Sequence, residues 1–285
     1  MSETALNGTG ARFSALHIGA IDPEILIRNT SPIAIALCYR VFAAKFPRKL
    51  VPMTQTVSPA ATLKFLEDRW DPEQAAALRK LFHDPTKFAG EWILPTISRD
   101  DPEYPKQHYW KGKVWAPVNW LVYQGLKIYE WDREAGLLAE SSAKIFLKSW
   151  RSRGECQENY LSTTGDGSGD PHYTWGALMA LIGVEEYIDA NPWHGLRFGT
   201  LQPIQAGSLE RYYVAGSRYD VALSSDAMEV RRDGKLLFAA DAPLEIRHVR
   251  FQEGRTHAEV RAAKTAKLRV GSASPREIAP GVTRI

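Results

Sequence analysis

The stretch Tyr109–Leu126, YWKGKVWAPVNWLVYQGL, decides how the rest of the chain is read. Its second half carries a helical period. Val118, Leu121, Val122, Gly125, Leu126 and, just beyond, Tyr129 recur at i, i+3, i+4, i+7, i+8 and i+11 after Pro117, which predicts a helix opened by a proline. Its first half, with the preceding PKQH, sets Tyr109, Trp110, Lys111, Trp115 and Asn119 just ahead of and into that helix. Flat indole faces cover the apolar C–H face of a pyranose, and charged or amide groups bond its hydroxyls, so this composition suits a sugar. It suits a packed aromatic core as well.

Working outward, the helical period extends over about residues 61–205. Glu73 to Phe82 follows Asp71-Pro72, a capping residue and then a proline at the first helical position. After Asp132 come Ala135, Leu138, Ser142, Ile145, Phe146 and Ser149, and after Asp170-Pro171 come Thr174, Leu178, Leu181, Ile182, Glu185 and Ile188. Loops with Pro102 and Pro105, or with Gly165, Gly167 and Gly169, separate these runs. Beyond Pro203 the texture changes to seven short β-type runs between Tyr212 and Val270, punctuated by turns such as Asp233-Gly234 and Glu253-Gly254, which predicts a sandwich-like domain over residues 206–285. Residues 1–60 hold five prolines and one apolar run, Ile33 to Lys45, that suits a buried helix or strand.

Composition narrows the function classes. The chain has 285 residues, 44% hydrophobic and 24% charged, which is ordinary for a globular protein. A formal net charge of +3, from 36 basic and 33 acidic side chains, argues against a nucleic-acid partner, which usually leaves a concentrated basic patch. The N-terminus has neither a basic start nor an apolar core, and the longest apolar stretch is too short to span a bilayer, so the expectation is a cytoplasmic protein without a membrane partner. Cys38 and Cys156 do not make a zinc motif, and no His/Asp/Glu cluster has ligand spacing, so neither metal nor cofactor is expected. All nine tryptophans fall between Trp70 and Trp193, which marks that region as different in kind from its flanks.

Two further segments carry candidate chemistry. Gly154–Tyr160, GECQENY, places Glu155 and Glu158 beside Asn159 and Tyr160 where one helix ends before the glycine-rich loop TTGDGSGD. A carboxylate at such a helix-to-loop junction can be aimed into a cleft, or it can be a solvated surface group. Asp170–Leu178, DPHYTWGAL, brings His172, Tyr173 and Trp175 to the start of the next helix, to line a cleft or to anchor a core.

In order, YWKGKVWAPVNWLVYQGL, QENY, the glycine-rich loop and HYTWGAL resemble the C-terminal half of the toroidal glycosidases. These include mannosylglycerate hydrolases, processing α-glucosidases and, more distantly, trehalases; PTISRDDPEY (Pro95–Tyr104) also matches their approach to the aromatic motif. The resemblance covers about residues 70–200. It implies a mainly α chain, a partial (α/α)6 toroid followed by a small β-sandwich-like domain, and hydrolysis of an α-linked sugar with inversion. Glu158 would be the general base. Tyr109, Trp110, Lys111, Gly112, Trp115, Asn119, Tyr160, His172 and Trp175 would bind the carbohydrate. Inversion needs a second carboxyl group about 6.5–9.5 Å from the first.

Two departures stand out. Lys111 occupies a place where the family usually has Arg, which loses a planar fork that can grip two hydroxyls at once. The family's acid is an Asp far upstream of its base, and residues 1–60 show no matching motif. The expectation is therefore an incomplete chain lacking the general acid, with a second chain or a second copy of itself as the partner that would close the ring. Its rivals are a carbohydrate-binding pseudoenzyme and a non-catalytic structural domain.

Overall fold

In a computed structural model the described residues are 72–191, 195–203 and 206–285. The expectations for residues 1–60, including the Ile33–Lys45 run, lie outside them. The described residues divide into two compact units between Glu186 and Tyr187.

The first unit contains helices α1 (Pro72–His83), α2 (Ala116–Ile128), α3 (Asp132–Arg153) and α4 (Leu178–Glu185), with a small hairpin of β1 (Gln157–Tyr160) and β2 (Gly167–Pro171). Helix α2 has its proline in the first turn, where a missing N–H costs no hydrogen bond. Helix α3 has Asp132 and Glu134 in its first turn and Arg151 and Arg153 in its last, complementing the helix dipole at both ends. It stops at Gly154, whose left-handed backbone (φ 70°) turns its N–H onto the Trp150 carbonyl. Two apolar clusters hold the helices together. Tyr123 and Leu126 of α2, Ala135, Leu138 and Ala139 of α3 and Ile182 of α4 pack with Phe82, Ile93 and Leu94. Val114 and Ala116 pack with Ile145, Phe146, Tyr160, Leu178 and Met179. Each fully buried Leu or Ile among them contributes roughly 1.5–3 kcal/mol.

The second unit is two antiparallel sheets. Its strands are β3 (Ile188–Asn191), β4 (Gly195–Phe198), β5 (Gly207–Val214), β6 (Ser217–Leu223), β7 (Met228–Arg232), β8 (Lys235–Ala240), β9 (Leu244–Gln252), β10 (Arg255–Ala262), β11 (Ala266–Val270), β12 (Arg276–Ile278) and β13 (Gly281–Arg284). One sheet runs β13-β10-β9-β4-β3 and the other β12-β11-β8-β7-β6-β5. In β6, Tyr219, Val221 and Leu223 are buried and alternate with more open residues. The faces meet where Phe198 of β4 contacts Tyr219 of β6 and Phe238 of β8, with ring centroids 5.1 and 6.0 Å apart. The turns Asp233-Gly234 and Glu253-Gly254 hold positive φ at both residues (50° and 80°, 51° and 73°), as tight type I′ hairpins require.

The expectation of a mainly α protein built on a helical toroid is overturned. The described residues are 27% helix and 37% strand, in three antiparallel sheets. Two local misreadings contribute. The periodic run from Thr174 to Ile188 is helical only in part: Thr174–Ala177 is a 3-10 turn, α4 covers eight residues, and Ile188 opens a strand. LMALIGVE is apolar on every side, so its period says little about where the helix ends. QENY is a buried strand rather than a helix-to-loop junction. No described helix is long and apolar enough to cross a membrane.

Helix α1 is tied to α3 through one buried carboxylate. Arg79 Nε donates to Glu134 Oε1 at 2.7 Å, and His83 Nε2 lies 2.6 Å from the same oxygen. Burial pushes the Glu134 carboxyl up, but the Arg79 and His83 hydrogen bonds outweigh it and hold its pKa below the ordinary glutamate range. The folded state thus binds this proton more weakly than the unfolded chain. The stabilisation is present above the unfolded pKa and is lost as pH falls through the folded one. Glu134→Gln should lower stability at neutral pH by about 1–3 kcal/mol. It should also flatten the loss of stability below about pH 4, measured by urea unfolding across pH.

Candidate active site

The site is assembled by strand pairing. Tyr160, at the end of β1, exchanges two backbone hydrogen bonds with Val114, at 2.8 and 2.9 Å, which ties QENY to the segment just before α2. On its other side β1 pairs antiparallel with β2, Asn159 opposite Ser168 and Tyr160 opposite Gly167. QENY has weak strand propensity, so these partners and the burial of all four residues account for its conformation. The aromatic loop, the acidic motif and the glycine-rich loop thereby meet.

Glu158 is 9% exposed and is held at both ends. Its carbonyl accepts from the Trp175 indole N–H at 3.2 Å, and its Oε2 accepts a long bond from the Asp170 N–H at 3.4 Å. Two titratable neighbours feel its charge. Partial loss of hydration raises the Tyr109 phenol above its ordinary pKa, and the Glu158 charge adds to the effect. Burial lowers the Lys113 ammonium, and Glu158 acts in the opposite sense. Lys113 Nζ also donates to Ser168 Oγ of β2 at 2.8 Å, so a cation stands beside the carboxylate.

The aromatic residues form one continuous group. Trp110 stacks on Trp115 with centroids 3.5 Å apart and planes at 14°. Tyr109 meets both edge-on, at 5.8 and 5.1 Å, and the Trp115 indole N–H donates to its carbonyl at 3.2 Å. Trp175 meets Trp115 edge-on at 5.8 Å, and Tyr173 lies 4.7 Å from Trp175. Trp115 is fully buried, so it serves as the floor, while Trp110 is partly open and Tyr109 is exposed.

Five of the residues expected at the site are therefore gathered: Glu158, Tyr109, Trp110, Trp115 and Trp175. The others have different surroundings. Lys111 is exposed and pairs with Glu103 at 3.2 Å. Gly112 is a crossing point whose N–H donates to Thr96 Oγ1 at 3.2 Å and whose carbonyl accepts from Ser162 at 2.6 Å. Tyr160 is in the interior, its phenol pushed up to about 12 by burial. His172 is exposed and faces Glu155 at 3.4 Å. Asn119 is fully buried, and its amide serves its own fold: Oδ1 accepts from Leu94 N–H at 3.1 Å, and Nδ2 donates to the Ile93 carbonyl at 2.9 Å and Ser142 Oγ at 3.0 Å.

Sequence reasoning missed Lys113, Asn159 and Gly169. Lys113 sits inside the aromatic motif, and only the strand pairing reveals that it faces β2. Asn159 is 1% exposed, and neither amide atom has a hydrogen-bond partner among the described residues. Gly169 has φ 79°, and a Cβ there would run into both the Glu158 carboxylate and the Asn159 amide. Two open grooves of this unit, one lined by Trp92, Lys148 and Arg151 and another by Arg79, His83 and Glu134, do not include Glu158.

Residues 41–176 match the model of the mannosylglycerate hydrolase MGH1-like glycoside hydrolase domain. The chain is 31% identical over 129 residues to a mannosyl-oligosaccharide glucosidase of Saccharomyces cerevisiae, covering 39% of this chain and 16% of that protein. It is 32% identical over 92 residues to a mannosylglycerate hydrolase of Thermus thermophilus, covering 32% of this chain and 21% of that one. Its relatives are glycoside hydrolases. The chain spans about a fifth or less of the length of these proteins. A solved GH63 mannosylglycerate hydrolase from Thermus thermophilus, in complex with glucose, overlaps 47% of this chain and 32% of its own at 24% identity, with a TM-score of 0.36.

The engagement of Asn119 gives a direct expectation. Asn119→Ala leaves a buried N–H and a buried carbonyl unpaired and should destabilise the chain by about 2–4 kcal/mol in urea unfolding.

Proposed function

We propose that this chain is a glycoside hydrolase module acting on α-linked glucosides, mannosides or glycosylglycerates with inversion, and that Glu158 is its general base. One observation carries the reading. Glu158 is anchored at both ends, its backbone carbonyl by the Trp175 indole N–H and its carboxylate by the Asp170 N–H, beside a continuous group of stacked and edge-on rings. The match of residues 41–176 to a glycoside hydrolase domain supports it.

In this reading a sugar lies over the open face of Trp110 near Tyr109, and Glu158 takes a proton from a water attacking the anomeric carbon. Lys113 supplies a neighbouring cation, bonded to Ser168 of β2. The acid that would protonate the leaving oxygen is a separate matter. Asp100 is bonded to Lys87 and Ser98, Asp101 receives the Glu103 N–H, and Asp166 pairs with Lys148. None of these three is free for the task, and we take the general acid to lie outside the described residues.

A leaving group that needs no proton tests the base alone. An α-glycosyl fluoride departs as fluoride without acid assistance, so the chain should hydrolyse α-mannosyl or α-glucosyl fluoride and release the β anomer, read by proton NMR. The corresponding O-glycosides should turn over at least about 100-fold more slowly. Glu158→Gln should abolish fluoride release. An α product, or release that persists in Glu158→Gln, would remove Glu158 from the role of base. Sugar binding with no release would leave a carbohydrate-binding protein.

A further inference from the structure

Beside Glu158 lies a group that the proposed chemistry has not yet used. Asn159 follows it on β1, is 1% exposed, and has both its amide nitrogen and its amide oxygen without a hydrogen-bond partner among the described residues. A buried amide with a donor and an acceptor both open strongly favours a small polar partner, and water is the one small enough to reach it. The position of the amide narrows where that partner sits. The point that a Gly169 Cβ would occupy is 2.8 Å from Asn159 Nδ2 and nearer still to Glu158 Oε2. The two atoms are therefore less than twice that distance apart, within the span of two hydrogen bonds that meet at one water molecule. Gly169 permits the convergence because it has no side chain, and its φ of 79° disfavours any residue that would bring one.

We propose that Asn159 and Glu158 hold one water molecule between them, and that this is the water Glu158 activates. The second clause rests on the reading of Glu158 as base; the first does not. A hydrolytic water must give one proton to the base while a lone pair points at the anomeric carbon. Two fixed partners orient it better than one. Asn159 Nδ2 donates to the water, and Glu158 Oε2 accepts one of its protons. In the step, the new C–O bond forms as the bond to the leaving group breaks. The electron pair of that bond leaves with the leaving group, and the water's proton passes to Glu158. Asn159 acts on the reacting water itself, so it is a catalytic residue in this scheme.

A high-resolution crystal structure of the full chain decides the first clause whatever the activity. A water within hydrogen-bond distance of both Asn159 Nδ2 and Glu158 Oε2 is expected. An empty gap, or an Asn159 amide bonded to other protein groups, overturns the proposal. The second clause is read from α-mannosyl or α-glucosyl fluoride hydrolysis. Asn159→Leu removes the donor at similar size and should lower kcat by about 10–100-fold while KM stays within about two-fold. Asn159→Gln retains the donor on a longer arm and should recover part of that loss, which also serves if the leucine variant does not fold. Unchanged kcat in Asn159→Leu would overturn the catalytic clause. Parent chain that releases no fluoride would count against Glu158 as base and so against that clause, while the crystallographic water would stand or fall by itself.

Discussion

The site depends on the pair of backbone hydrogen bonds between Val114 and Tyr160. Neither residue is chemically active, and both are fully buried. Their pairing joins two stretches 46 positions apart, one ending the aromatic loop and one ending the acidic motif. Without it, β1 would have only the glycine-rich β2 as a partner, and a two-stranded hairpin alone is marginal in water. With it, β1 is covered on both edges, and Glu158 is carried to Tyr109 and Lys113. The apolar cluster of Ile145, Phe146, Leu178 and Met179 around Val114 and Tyr160 supplies the burial that keeps the pairing dry.

This arrangement separates open positions from scaffold among residues that look alike in the sequence. Trp110 and Trp115 are stacked, yet one is open and the other is the floor beneath it. Lys111 and Lys113 are two positions apart. The first reaches out to Glu103, while the second faces Ser168 and the carboxylate. Asn119 and Asn159 are both buried amides, but the first is fully bonded to its own fold and the second has no partner on either atom among the described residues. In each pair the difference comes from which strand or helix face the residue occupies.

Much of the local structure was legible. The turn chemistry of Asp233-Gly234 and Glu253-Gly254 and the runs that became α1, α2 and α3 stand close to where period and punctuation put them. The fold class was not legible, because the ring was inferred from resemblance and the extra strands carry little signal. β3 and β4 follow α4 with only four residues each, and β12 and β13 are shorter than most periodic windows. The buried ion network of Arg197 with Asp189 and Glu245 explains why IDAN and GLRF read as polar yet pair within a sheet. At the site, the acidic motif was visible by its composition. Its strand conformation was not, since it is imposed by partners far away in the chain. The surroundings of Asn159 are illegible for the same reason: that neither amide atom has a hydrogen-bond partner among the described residues is a property of the packed interior.

The most direct measurement concerns Tyr109, whose phenol reports on the distance to Glu158. Its titration can be followed by NMR in chain labelled at the tyrosine ring carbon, in the parent and in Glu158→Gln. Partial loss of hydration and the neighbouring carboxylate together should hold the parent phenol above the ordinary tyrosine value, and removing the charge should bring it part of the way down. A Tyr109 pKa that is the same in both proteins would place the carboxylate away from the aromatic loop and contradict the arrangement.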